Sequence, residues 1–246
     1  MKDVTIVIQG KITQETYNFY VEKYPNFNIV VSTWSNHQLD LSYFPHNLKF
    51  ISEKQPKDVG MQNMNLQFLS TINGLFSSFT PYCIKVRGDE YYTNLEYVAE
   101  IIKSDSGKIY TSPIWFRHWD FMNYHVSDHL MAGTTDNLKT MFFNSKINMD
   151  RKALTHMVDG VQHTYWEPEI NLTRSYLMAK YKDEFFKRDG RELMIESFNI
   201  LDLENLKPYK IVANVYNKNW TDNYIPEDNL SISNINQLLE PNPFKI

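Results

Sequence analysis

The sequence predicts an α/β protein with an open, mostly parallel sheet flanked by helices on both faces. Three observations predict it. Short β-branched runs such as VTIVIQG (4–10) and NIVVSTW (28–34) are apolar without alternation, as strands covered on both faces are. Segments with helical spacing separate these runs. Strand and helix also alternate over the first hundred residues, the order that builds parallel βαβ units.

The elements follow in order. VTIVIQG stops at Gly10, and ITQETYNFYVEKYP has helical spacing with a proline stop at Pro25. NIVVSTW is a second strand ending in polar residues, and LKFISEK (48–54) a weaker third. MQNMNLQFLSTINGLF (61–76) predicts a helix with Leu66, Leu69, Ile72 and Leu75 on one face and Gly74 near its end. PYCIKVRGDEYY (81–92) is a strand, NLEYVAEIIKS a helix capped by Asn94, and GKIYTSPI another strand. From about 111 to 168 the pattern breaks into aromatic and histidine-rich segments around one helical piece, TTDNLKTMFF. INLTRSYLMAKYKDEFF (170–186) is then a strong helix, followed by an Asn-rich tail. The expected organisation is one domain over 1–215 with a packed C-terminal extension, 216–246.

With 246 residues the chain is long enough for a sizeable core. A net charge of −4 argues against generic binding to nucleic acid or anionic membranes. The 16 Tyr, 15 Phe and 5 Trp suit a site that stacks rings or sugars. A single cysteine, Cys83, excludes an internal disulfide and any multi-cysteine metal site, and its apolar surroundings predict a buried, inert thiol. The N-terminus opens directly into a strand, and no run approaches the ~18 apolar residues of a membrane span. A cytoplasmic location is expected, including the membrane face where acceptors are assembled, with the sequons at Asn171, Asn219 and Asn229 unused.

In an open parallel sheet, ligands bind beyond the carboxyl ends of the strands. Three strand ends here are polar: Gln9-Gly10-Lys11, Ser32-Thr33-Trp34-Ser35 and Arg87-Gly88-Asp89-Glu90. Side by side, they form one rim; apart, they are solvated turns. Neither a Rossmann glycine fingerprint nor a P-loop is present. An acid on one strand end, with Lys11 and Trp34 on others, suits a nucleoside diphosphate held partly through Mn²⁺ or Mg²⁺, with Asp89 as the metal ligand. Arg87 and Lys11 are candidate phosphate contacts, Trp34 and Ser35 border the base, and Gln9, Gly10, Asn63 and Gln67 complete the expected binding set. Each also has an ordinary structural role open to it: a turn-capping acid, a structural ion pair, a core tryptophan. In HVSDHLMAG (125–133), Asp128 is placed to orient sugar hydroxyls and His129 to meet acceptor or metal, although VSD reads as strand and gives no zinc spacing.

IVIQGKI, VSTW, the Asn-Gln helix followed by NGL, KVRGD and the later SDH-LMAG stretch resemble the WavE family of lipopolysaccharide-synthesis proteins over about residues 4–210. The resemblance implies a GT-A-like glycosyltransferase, moving a sugar from a nucleotide-diphosphate sugar to a glycan or glycolipid acceptor. The chain also resembles retaining enzymes of the ABO blood-group type, through Arg87-Gly88-Asp89, DHLMAGTTDNL and WEPEINLTRSYL in that order. That likeness implies Asp89 as metal ligand and Glu169 as the catalytic acid, with Asp128 as the alternative; Arg87 stands where those enzymes carry an aspartate. Two other classes stay open: a non-catalytic carbohydrate-binding or scaffold protein of the same fold, and a metal-dependent nucleotidyltransferase.

Overall fold

A computed structural model describes residues 1–36, 38–60, 63–114, 116, 119, 123–150, 155–158, 161–164, 168–206 and 208–211. The expected 216–246 extension and the sequons at Asn219 and Asn229 lie outside the described residues.

In chain order the first half runs β1 (Val4–Gln9), α1 (Gln14–Lys23), β2 (Asn28–Trp34), β3 (Leu48–Glu53), α2 (Met64–Phe76), β4 (Tyr82–Arg87), β5 (Glu90–Tyr92), α3 (Leu95–Ser104) and β6 (Ile109–Thr111). The second half continues with β7 (Leu130–Thr134), α4 (Thr135–Asp150), β8 (Thr155–Val158), β9 (Val161–Thr164), α5 (Pro168–Tyr181), α6 (Gly190–Ser197), β10 (Phe198–Ile200), α7 (Leu203–Leu206) and β11 (Pro208–Ile211).

Seven strands form the central sheet in the order β10-β6-β7-β4-β1-β2-β3. All pairings are parallel except those of β7, which runs antiparallel between β4 and β6. The predicted architecture therefore holds. β1 is buried along its whole length and feeds two cores, because successive side chains of a strand point to opposite faces. Ile6 and Ile8 join Tyr20 of α1 and Val98 of α3 on one face. Val7 joins Phe68 of α2, Phe142 of α4 and Tyr176 of α5 on the other.

Local chemistry sets the element boundaries. Thr13 caps α1, its side chain accepting from Thr16 N at 3.1 Å, and Asp189 caps α6 in the same way at Arg191 N, 2.7 Å. Gly10 adopts φ +90°, which lets the chain turn sharply out of β1.

Several expectations change on folding. Much of the aromatic content serves the α1 face of the core rather than a stacking site: Tyr17, Tyr20 and Tyr24 are buried, and the last two donate to the carbonyls of Glu90 and Tyr92. The 81–92 run is two strands, β4 and β5, and β5 pairs with β11 in a separate ribbon. Residues 125–128 are irregular rather than strand. Cys83 is buried as expected, its thiol pushed up by burial. Asn171 is buried too and donates to Ser145 O, so that sequon cannot take a glycan in this fold.

The buried face of α2 is Met64, Phe68, Thr71 and Leu75, with Leu66, Leu69 and Ile72 only half-buried. Gly74 explains the rotation. A Cβ there would sit 2.4 Å from Val7 Cγ1 and 3.3 Å from Ser32 Cβ, so the helix rests on the sheet through its glycine. In an exposed helix, Gly→Ala stabilises by about 1 kcal/mol. Here the sign should reverse: overpacking costs about 1–3 kcal/mol. Gly74→Ala should lower the urea midpoint at unchanged m-value, and an unchanged or raised midpoint would contradict this packing.

Candidate functional site

The carboxyl ends of β1, β2 and β4 lie side by side, because Gln9 is registered with both Ser32 and Arg87. The turn after β4 is fastened to the turn after β1. Gly88 N donates to Gln9 O at 2.8 Å, and a Cβ on Gly88 would lie 2.5 Å from both Lys11 O and Ile12 Cγ1. Only glycine lets the two backbones approach this closely. Gly10 N bonds Ser32 O and Gly10 O accepts from Thr33 Oγ1, which ties in β2.

Above this rim is a cleft of about 340 Å³, lined by Gln9, Gly10, Lys11, Trp34, Gln55, Asn63, Leu66, Gln67, Arg87 and Asp89. That volume is within the usual range for small-ligand sites. Eight of the nine residues expected to bind the donor are in the lining; Ser35 is not, its backbone N–H spent on Glu53 O. Trp34 is almost wholly buried and still forms a wall of the cleft. Asn63 enters α2 in the left-handed region, φ 61°, which asparagine tolerates better than most residues. Gln9 is held by Ser70, whose hydroxyl donates to Gln9 Oε1 at 2.8 Å.

The cleft and the charged layer beside it hold two residues that the sequence does not mark directly. Gln55 follows the weak third strand, and its position after that strand's end was the available signal. Lys85 sits mid-strand in an apolar run, where nothing local marks it as part of a charged layer. It is fully buried, donates to Asp128 O, and is pulled below its ordinary pKa by burial against the raising pull of Asp128.

Charge is organised around Arg87. Its Nε and NH2 donate to the two oxygens of Asp89 at 3.0 Å each, and Nε lies 3.3 Å from Glu90 Oε1. NH1 has no hydrogen bond to a described residue. Asp89, in the turn between β4 and β5, is partly exposed, whereas Glu90, the first residue of β5, is completely buried. Glu90 accepts from Tyr92 OH at 2.6 Å and meets His129 Nδ1. The neighbouring Asp128 accepts from Gln67 Nε2.

Burial pushes the carboxyls of Glu90 and Asp128 up, but both end below their ordinary values. His129 and Arg87 outweigh burial at Glu90; Lys85, His129 and Arg87 do so at Asp128. A carboxylate depressed in the fold stabilises it above the unfolded pKa of about 4, and loses that contribution as pH falls through the folded value. Stability should therefore drop on acidification below about pH 4. Glu90→Gln should flatten the drop in urea titrations, and an unaltered slope would contradict the assignment.

The expected metal meets a difficulty here. Both Asp89 oxygens are already engaged by a guanidinium, and no group of three or more His, Cys, Asp or Glu gathers as metal ligands would among the described residues. Mn²⁺ or Mg²⁺ on Asp89 would have to displace a two-point ion pair. The residues as arranged do not fit that ion.

Glu169 lies in the first turn of α5, outside the cleft lining, with Oε2 3.7 Å from His125 Nε2. The aromatic residues expected to desolvate it, Tyr165 and Trp166, lie outside the described residues. Asp128 is also outside the lining, but Gln67 joins it to the cleft. The segment 125–129 is thus held at both ends, by Glu169 at His125 and by Gln67 and Lys85 at Asp128.

The fold and site are those of an α/β protein with a polar, cation-bearing cleft at the carboxyl rim of its parallel strands. The WavE lipopolysaccharide synthesis family matches residues 4–191, and the chain belongs to that family. This ties it to polysaccharide synthesis. No curated protein matches the chain. Among solved structures, it is similar to HddC from Yersinia pseudotuberculosis, at 12% identity and a TM-score of 0.35 over 55% of this chain and 78% of that one. A structure of HddC complexed with GMP-PN gives 16% identity and 0.37 over 56% and 79%. No helix among the described residues is long and apolar enough to cross a membrane.

Proposed function

We propose that the protein is a GT-A-type glycosyltransferase that moves a sugar from a nucleoside-diphosphate sugar to a glycan or glycolipid acceptor of surface polysaccharide. The observation that carries this reading is the cleft beside Gln9, Lys11, Arg87 and Asp89, in a chain of a lipopolysaccharide-synthesis family. Lys11 and the unengaged edge of Arg87 bind the diphosphate. Both then stabilise the charge that builds on it as the anomeric C–O bond breaks, the work of preorganised cations in a partly enclosed site. Gln9, Asn63 and Gln67 offer neutral hydrogen-bonding groups to ribose and sugar hydroxyls, and Trp34 walls the nucleotide. Asp128 and Glu169 act on the acceptor side by fixing the 125–129 segment that borders it.

A panel of nucleotide sugars tests the reading. Transfer or slow hydrolysis that releases a nucleoside diphosphate supports it. Pyrophosphate released from a nucleoside triphosphate and a sugar 1-phosphate would indicate nucleotidyl transfer instead, and binding without turnover a carbohydrate-binding protein.

An assembly role for membrane-bound acceptors would place the protein against a bilayer. Phe76, Phe79 and Phe143 are exposed, with Lys139 over the Phe76 ring and Lys49 over the Phe79 ring. Aromatic rings flanked by lysines suit an anionic interface. The protein should cosediment with anionic but not neutral vesicles, and Phe79→Glu should abolish this; equal retention on both vesicle types, or on neither, would contradict it.

A further inference from the structure

We propose that His129 is the base that takes the proton from the acceptor hydroxyl, with Glu90 as the residue that positions it; this rests on the sugar-transfer reading above. Glu90 is wholly buried, and each of its oxygens has a fixed partner: Tyr92 OH on Oε2, and His129 Nδ1 together with Arg87 Nε on Oε1. A carboxylate facing Nδ1 selects the tautomer that carries its proton there, leaving the lone pair on Nε2. Nε2 makes no hydrogen bond to a described residue, and it is not among the sealed, unsatisfied polar atoms of the interior. The ring is only 7% exposed. What is left is one oriented nitrogen with a narrow opening, on a residue that, like Asp128, lies just outside the cleft lining.

Its place in the fold fits this role. β7 runs antiparallel to β4 with Leu130 opposite Val86, so His129 enters the sheet level with Arg87. One carboxylate oxygen, Glu90 Oε1, is shared by the cation that faces the diphosphate and by the histidine. The ring is fixed by more than that contact. His129 N donates to Ser127 Oγ, and the segment before it is clamped at Asp128 and His125. A buried carboxylate shared by a guanidinium and an imidazole is a weak source of stability compared with an apolar core. It is well suited to hold an imidazole at a fixed angle.

The step balances without an added reagent. The acceptor O–H bond breaks and its proton goes to His129 Nε2. The oxygen forms the new bond to the anomeric carbon. The anomeric carbon–phosphate oxygen bond breaks, and the nucleoside diphosphate leaves with that electron pair, held by Arg87 and Lys11.

The experiment compares native protein, His129→Ala and Glu90→Gln with whichever nucleotide sugar the native protein turns over. Nucleoside diphosphate binding by calorimetry serves as the check on folding. His129→Ala should bind the diphosphate as native does and lose transfer by about 10²–10⁴-fold, with partial recovery in added imidazole. Glu90→Gln should lower kcat while donor Kd and acceptor KM hold, the pattern of a lost positioning contact rather than of a loosened fold. His129→Ala transfer within about tenfold of native, below the usual span of acid–base contributions, overturns the proposal. So does a loss that imidazole does not touch. If native protein releases no nucleoside diphosphate from any donor, it is the sugar-transfer reading that fails.

Discussion

Replacing Arg87 by alanine should produce the largest loss of any single change, in both binding and stability. Arg87 is the cation that Asp89 and Glu90 share, and burial alone would push Glu90 toward its neutral form. Removing one partner of a buried pair costs about 3–5 kcal/mol, because the other charge stays uncompensated. Glu90 keeps Tyr92 and His129, so the lower end of that range is expected. Nucleoside diphosphate affinity should fall separately, by roughly 10²-fold, the size of one or two charge-assisted hydrogen bonds. Arg87→Lys separates the two effects. A lysine restores the charge but not the planar fork, so much of the stability should return while affinity recovers only in part. Urea unfolding and calorimetry on both variants check this, and a stable Arg87→Ala protein with native affinity would contradict it.

Asp89→Asn should lower turnover by roughly 10–10²-fold, about 1.4–2.8 kcal/mol on the scale of one preorganised contact. The carboxylate accepts from Arg87 at two points, whereas asparagine offers one acceptor and turns an amide N–H₂ toward a guanidinium. Arg87 is then left to wander when the leaving diphosphate needs it. The same contact bears on metal dependence. If Arg87 is the cation of this site, EDTA should leave diphosphate affinity within about twofold, and Mn²⁺ should not rescue Asp89→Asn. Loss of binding in EDTA, restored by Mn²⁺, would return Asp89 to the role of metal ligand that its place in KVRGD suggested.

These two residues mark where the sequence was legible. A strand end is a local event: an apolar run stops and polar residues begin, so the rims at Gln9, Trp34 and Arg87 could be read directly, and they do converge on one cleft. The Arg87–Asp89 pair is also local, two residues apart, but its meaning depends on backbone conformation at Gly88. Read as a motif, Asp89 looked free for a cation; folded, it is already committed to one.

The acceptor-side layer was not legible for a different reason. Glu90 and His129 are 39 residues apart and meet only because β7 enters antiparallel beside β4. Nothing in HVSDHLMAG shows which way that strand runs. Lys85 was hidden by the same fact, since its partner is the carbonyl of Asp128 on the incoming chain. The face of α2 departs from its leucine spacing because close backbone packing makes Gly74 the contact point. Glu169 was read from a likeness in chain order, which carries no information on distance to the cleft.

The most direct measurement is a crystal structure of the protein with a nucleoside diphosphate bound. The account predicts the phosphates within hydrogen-bond reach of Arg87 and Lys11, with the nucleoside against Trp34 over the ends of β1, β2 and β4. A diphosphate more than about 10 Å from Arg87, beyond direct or water-bridged contact, would contradict it.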